Sequence, residues 1–309
     1  MHAHRTRRVV RILAVVAAVV AASLTTNSVA AAQSPVHFRV PNLVVLGDSY
    51  ASGVGNTPYL PEIRPTTEDT SCKRSDAAYG ELLADVGLVR LQAFVACSGA
   101  TTAQVSGPGP NGETPPQIDS ITRDTDVVTV QALGNDFFFG EISFRCLSDP
   151  TNCSWQTHLK NGQTIREVVD SIPVQGGANL KALYGAINQR LKTVGSHARV
   201  IATDYPNLFG DGGGACRGFI SPTLVDIARQ MAGNLGATIK QAAADNGFRY
   251  APVSALFSRH DVCDPVPAIY LPTGKGGLGA PADDPGGALH PNHLGQALYA
   301  GAIAARLFF

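Results

Sequence analysis

The 309-residue sequence predicts an α/β fold, a three-layer α/β/α sandwich around a mainly parallel central sheet. Three observations carry that expectation. Short apolar runs at residues 43–46, 91–95, 127–130 and 199–202 show no polar alternation, which suits strands buried on both faces. Helical patterns separate them, and right-handed crossovers between parallel strands lay such helices over the sheet. Stretches at 56–71, 106–116 and 273–287, rich in Gly, Pro or Thr, read as long loops.

Taken in chain order, the first element is not part of this fold. Arg5, Arg7, Arg8 and Arg11 precede an uncharged run rich in Ala and Val, and Ala30 and Ala32 supply an A-x-A site. That is the layout of a signal peptide over residues 1–32, with an uncleaved membrane anchor as the rival reading. The remainder, 33–309, is expected to be one domain in a secreted, extracellular protein, with association with the cell envelope left open.

The helices that follow are marked by spacing and by their ends. Leu180, Leu183, Tyr184, Ile187 and Leu191 form one apolar stripe and predict a crossover helix. Ser221 as cap, Pro222 in the first turn and Gly247 as terminator bracket a second, with Leu224, Ile227, Met231 and Leu235 facing inward. A last helix is expected from about Leu294 onward.

Charge excludes one class of partner. The chain carries 24 basic and 24 acidic residues, and loss of residues 1–32 leaves 20 against 24. No basic cluster marks a nucleic-acid face. Six cysteines, Cys72, Cys97, Cys146, Cys153, Cys216 and Cys263, suit an oxidising compartment and disulfides rather than zinc. Many pairings are open to six thiols, of which joining chain neighbours is the least tangled.

The sharpest chemical signal is Gly47-Asp48-Ser49-Tyr50-Ala51-Ser52-Gly53, directly after the first apolar run. A serine at a strand end is well presented as a nucleophile, although a Gly-Asp-Ser turn would also simply close the strand. Ala51 breaks the G-x-S-x-G pattern of the α/β-hydrolase elbow. The heptapeptide resembles the first motif of the SGNH, or GDSL, hydrolase superfamily. Its further motifs recur in order: Cys97-Ser98-Gly99-Ala100-Thr101-Thr102, then Leu133-Gly134-Asn135-Asp136, then Gly287-Ala288-Leu289-His290-Pro291-Asn292. Two departures stand out. Leu133 replaces a glycine, and Gly287 occupies the place of the family's aspartate.

The resemblance covers nearly the whole chain after the leader and implies roles. Ser49 is then the nucleophile and His290 the general base, with no cofactor and no metal. The oxyanion donors are the backbone N–H groups of Ser49 and Gly99 and the side-chain amide of Asn135. Likeness to a secreted actinobacterial lipase and esterase subgroup implies disulfides 72–97, 146–153 and 216–263. It also implies that a main-chain carbonyl, expected to be that of Gly287, orients His290, with Asp283 or Asp284 as the competing partner. His260, beside Asp261, is the strongest rival histidine.

The expected function is hydrolysis of carboxylic esters, acyl or lipid, through an acyl-enzyme on Ser49. The expected partner is a small-molecule or lipid ester, met by a monomer that contacts a membrane or lipid surface. Phe137, Phe138 and Phe139 offer walls for an acyl pocket, or ordinary core. Carbohydrate deacetylation is the alternative within the enzyme class. A catalytically inactive exported binding protein on the same scaffold is the alternative outside it.

Overall fold

The structure is a computed structural model and describes residues 39–63, 68–69, 71–110, 115–210, 220–271 and 284–308. Its centre is a five-stranded parallel sheet. The strands are β1 (Asn42–Gly47), β2 (Arg90–Phe94), β3 (Val127–Gln131), β4 (Arg199–Thr203) and β5 (Arg249–Ala251), in the spatial order β2-β1-β3-β4-β5. Leu43, Val44, Val45 and Leu46 have no exposed surface. Burying each such side chain contributes roughly 1.5–3 kcal/mol, which is why unbroken apolar runs, not alternating ones, specify this sheet.

The helices are α1 (Ser49–Ser52), α2 (Tyr79–Asp85), α3 (Thr102–Ser106), α4 (Phe139–Ser148), α5 (Ile165–Ser171), α6 (Gly177–Val194), α7 (Pro222–Asp245) and α8 (His293–Phe308). The chain leaves β1 through α2 to reach β2 on one side, and leaves β3 through α6 to reach β4 on the other. Right-handed crossovers in opposite directions put their helices on opposite faces. Accordingly α2 packs with α8, while α3, α6 and α7 pack together. The strand order reverses between β1 and β3, and in such sheets the crevice beyond those carboxyl ends is where ligands bind.

The four expected strands and three expected helices are present, and α7 starts at Pro222 with Ser221 Oγ accepting from Leu224 N at 3.1 Å. β5 and the helices α1 to α5 are not marked by the sequence patterns. β5 has three residues and two of them are half-buried, too short a pattern to read. The loop expected over 56–71 contains a two-residue antiparallel pairing between Glu62–Ile63 and Glu68–Asp69. Of the 273–287 loop, Pro285–Gly287 forms a 3-10 turn, and residues 272–283 lie outside the described residues.

Among the described residues two disulfides join chain neighbours, Cys72–Cys97 and Cys146–Cys153, and Cys263 is also disulfide-bonded. Cys216 lies outside the described residues, as do residues 1–38 and therefore the whole leader. Among the described residues no cysteine is a free thiol, and no helix is long and apolar enough to cross a membrane.

Candidate active site

Ser49 follows β1 and Asn135 follows β3, so the sheet delivers both to the point where its strand order reverses. The turn out of β1 is tight. Gly47 has φ 143°, and a Cβ there would lie 2.3 Å from the Gln131 carbonyl oxygen, a clash only glycine avoids. Gln117 holds this turn by accepting from Gly47 N at 2.7 Å and donating to Gly47 O at 2.9 Å. Asp48 caps α1 by accepting from Tyr50 N at 3.0 Å. Burial raises the Asp48 carboxyl to about 7 despite hydrogen bonds from Tyr205 and Tyr50 that favour its charge.

His290 arrives from the other end of the chain. Its Nε2 lies 2.9 Å from Ser49 Oγ, across 241 positions of sequence. Its Nδ1 lies 3.0 Å from the carbonyl oxygen of Ala288. A carbonyl only accepts, so Nδ1 carries the proton and the Nε2 lone pair faces the serine hydroxyl. Burial is the largest influence on this imidazole and pulls it down to about 4, with the Ala288 hydrogen bond and the Asp284 charge acting the other way. It is therefore neutral, and able to take a proton, through the physiological range.

Three side chains clamp the histidine segment onto the serine turn. Tyr50 OH donates to Leu289 O at 2.8 Å, Asn56 Nδ2 to Pro291 O at 2.9 Å, and Gln296 Nε2 to Tyr50 O at 3.0 Å. The Tyr50 ring also lies 4.8 Å from the imidazole.

The expected orienting group differs by one residue. The Gly287 carbonyl accepts from the His290 backbone N–H at 3.0 Å, in a turn with Leu289 at φ 62°, and it too favours the charged imidazole, though less than that of Ala288. Asp284 does not reach Nδ1. Its oxygens take Lys73 Nζ at 2.7 Å and the Tyr59 hydroxyl. Burial pushes that carboxyl up, but these two partners outweigh it and hold it below the usual range. Asp283 lies outside the described residues. His260, the rival base, binds Val266 O through Nδ1 at 2.8 Å.

Gly99 is exposed at φ 83°, with open space where a side chain would stand. Asn135 Nδ2 donates to Ala100 O at 3.0 Å, which orients the amide and leaves its second N–H for another acceptor. Among the described residues, neither the Ser49 nor the Gly99 N–H donates to a backbone carbonyl. Asp136, absent from the expected roles, joins the two segments: it accepts from Thr102 N at 3.0 Å, Thr102 Oγ1 at 2.6 Å and Asn179 Nδ2 at 3.0 Å.

Leu133 shows why a glycine is usual there. Its φ is 144°, a region β-carbons disfavour, and its side chain is fully buried. The three phenylalanines divide: Phe137 is core, Phe138 is left-handed at φ 56°, and Phe139 meets Tyr50 edge-on at 6.1 Å. Phe139, Tyr50, Tyr205, Leu208, Met231 and Leu235 line a narrow apolar crevice of only about 20 Å³ that also touches Gly134.

Known proteins are similar to this chain in sequence and in fold. Residues 45–298 match the GDSL-like Lipase/Acylhydrolase family. A lipase of Streptomyces rimosus is 29% identical over 243 residues, 79% of this chain and 81% of the relative. Lipase 1 of Streptomyces coelicolor is 29% identical over 255 residues, covering 82% and 84%. The crystal structure of the extracellular lipase from Streptomyces rimosus superposes with TM-score 0.65 at 27% identity, covering 86% of this chain and 99% of that one. That of phospholipase A1 from Streptomyces albidoflavus gives TM-score 0.64 at 23% identity, with the same coverages, and speaks to the fold alone. The chain thus belongs to the GDSL-like lipase/acylhydrolase family and is a carboxylic ester hydrolase.

Proposed function

We propose that this protein is a secreted serine esterase or lipase that hydrolyses acyl esters through an acyl-enzyme on Ser49. The single observation that carries the reading is the 2.9 Å approach of Ser49 Oγ to His290 Nε2. As Oγ attacks the ester carbonyl, its proton passes to Nε2, and the new imidazolium is steadied by Nδ1–H donating to Ala288 O. A main-chain carbonyl supplies orientation without a full charge, so the site works as a dyad.

The tetrahedral oxyanion meets the N–H groups of Ser49 and Gly99 and the free N–H of Asn135. Preorganised donors of this kind commonly contribute about a hundredfold each. Nε2–H then protonates the departing alkoxide, the C–O bond breaks, and the acyl group stays on Oγ. Water, deprotonated by the same Nε2, reverses the sequence and releases the acid.

Residues 1–32 act as the export signal, and 33–309 fold as one domain in which Cys216 pairs with Cys263. Purified protein is expected to hydrolyse p-nitrophenyl esters of several acyl lengths, with Ser49→Ala and His290→Ala each losing at least about a thousandfold in kcat. A panel in which only acetyl groups on polysaccharide are released would replace the acyl-ester reading. Undiminished turnover by Ser49→Ala would end the serine mechanism altogether.

A further inference from the structure

Tyr205 lies just past the end of β4, in neither the serine turn nor the asparagine turn, and its hydroxyl touches both. The O–H donates to Asp48, the residue before Ser49, and the oxygen accepts from Gly134 N at 3.0 Å, the residue before Asn135. Its ring is 7% exposed and stands edge-on to Tyr50 at 5.2 Å. Gly134 rests against that ring so closely that an added Cβ would lie 3.3 Å from Tyr205 Cζ.

The segment it holds is under backbone strain. Leu133 has φ 144° and Phe138 φ 56°, on either side of Asn135. Conformations of this sort persist only where surrounding contacts over-determine them. Without the Tyr205 oxygen, the buried Gly134 N–H would lose its acceptor at the residue next to the strained one.

We propose that Tyr205 is a positioning residue of the hydrolytic site, whose hydroxyl sets the separation between the Ser49 nucleophile and the Asn135 oxyanion donor. The proposal rests on the serine-hydrolase reading above. It assigns Tyr205 no contact with the substrate; it acts through Asn135. Oxyanion stabilisation is felt chiefly in the transition state, so loosening the bridge lowers kcat and spares KM. A displacement near 1 Å at such a site costs on the order of a hundredfold.

The test is a double-mutant cycle on p-nitrophenyl butyrate with Tyr205→Phe, Asn135→Ala and the pair. Tyr205→Phe is expected to lower kcat by roughly ten- to a hundredfold with KM within about twofold. In the Asn135→Ala background the same change should cost less than about threefold, since the donor it positions is already gone. An unchanged kcat in Tyr205→Phe overturns the proposal, and so does an equal loss in both backgrounds, which would mark a structural role.

Where Tyr205→Phe does not fold, Asp48→Asn attacks the bridge from its other end, keeps an oxygen for the cap bond to Tyr50, and enters the same cycle with the same expectation. Ser49→Ala, run alongside, separates the failures. Activity retained there sinks the serine reading, whereas its loss beside a normal Tyr205→Phe sinks only this proposal.

Discussion

His290 is held in a neutral form by its surroundings, and its environment makes a quantitative demand. An imidazole pulled down to about 4 by burial keeps its base form well below the usual histidine range. The acid limb of kcat/KM should therefore fall near pH 4 rather than near 6.5, as a pH–rate profile would read directly. Stability follows the same sign. Between the two values the unfolded chain binds the proton and the folded chain does not, so acidification through that window destabilises the fold.

Asp284 tests the dyad at the same scale. Its partners are Lys73 and Tyr59, which join the histidine segment to the loop beside Cys72. Asp284→Ala should leave kcat within about tenfold of the parent while lowering stability by about 1–3 kcal/mol, measured by urea unfolding beside ester turnover. A loss in kcat matching that of Ser49→Ala would instead make Asp284 the third member of a triad.

Among the elements, the central strands were legible in the sequence because burial on both faces favours unbroken runs, as at Val127–Gln131, where every residue is buried, whereas the edge strand Arg90–Phe94 is only half-buried despite its apolar run. Short pieces were not, since β5 and α1 are too brief for any period to register. Ser49 and His290 could be recognised by side-chain chemistry in a fixed motif order. The orienting carbonyl could not, because a main-chain oxygen leaves no trace in residue identity, and Gly287 and Ala288 differ only in how the turn folds. Tyr205 was equally silent, standing 157 positions from the Asp48 it binds.

The helix α7 also makes a prediction of its own. Met231 and Leu235 on this helix line the apolar pocket, together with the half-buried Ala232. That space is only about 20 Å³, so Ala232→Phe should overfill it and lower stability by about 1–3 kcal/mol, read by urea unfolding.

At the scale of the molecule, the reversal of strand order brings the two ends of the chain together: the first strand carries the nucleophile and the segment before the last helix carries the base. Covalent links reinforce this frame, with Cys72–Cys97 tying the loop that bears Lys73 to the one that bears Gly99. Peptide mapping without reduction should find 216–263 joined as well. Reduction should lower the melting temperature and, by loosening the Gly99 segment, the turnover together.

The central claim is that Ser49 is a nucleophile activated by His290. Labelling with a fluorophosphonate, followed by peptide mapping, addresses it most directly. The account predicts one adduct, on Ser49, in the folded protein, and labelling slowed by at least about a hundredfold in His290→Ala. Modification of a different residue, or equally fast labelling of Ser49 in His290→Ala, would contradict it.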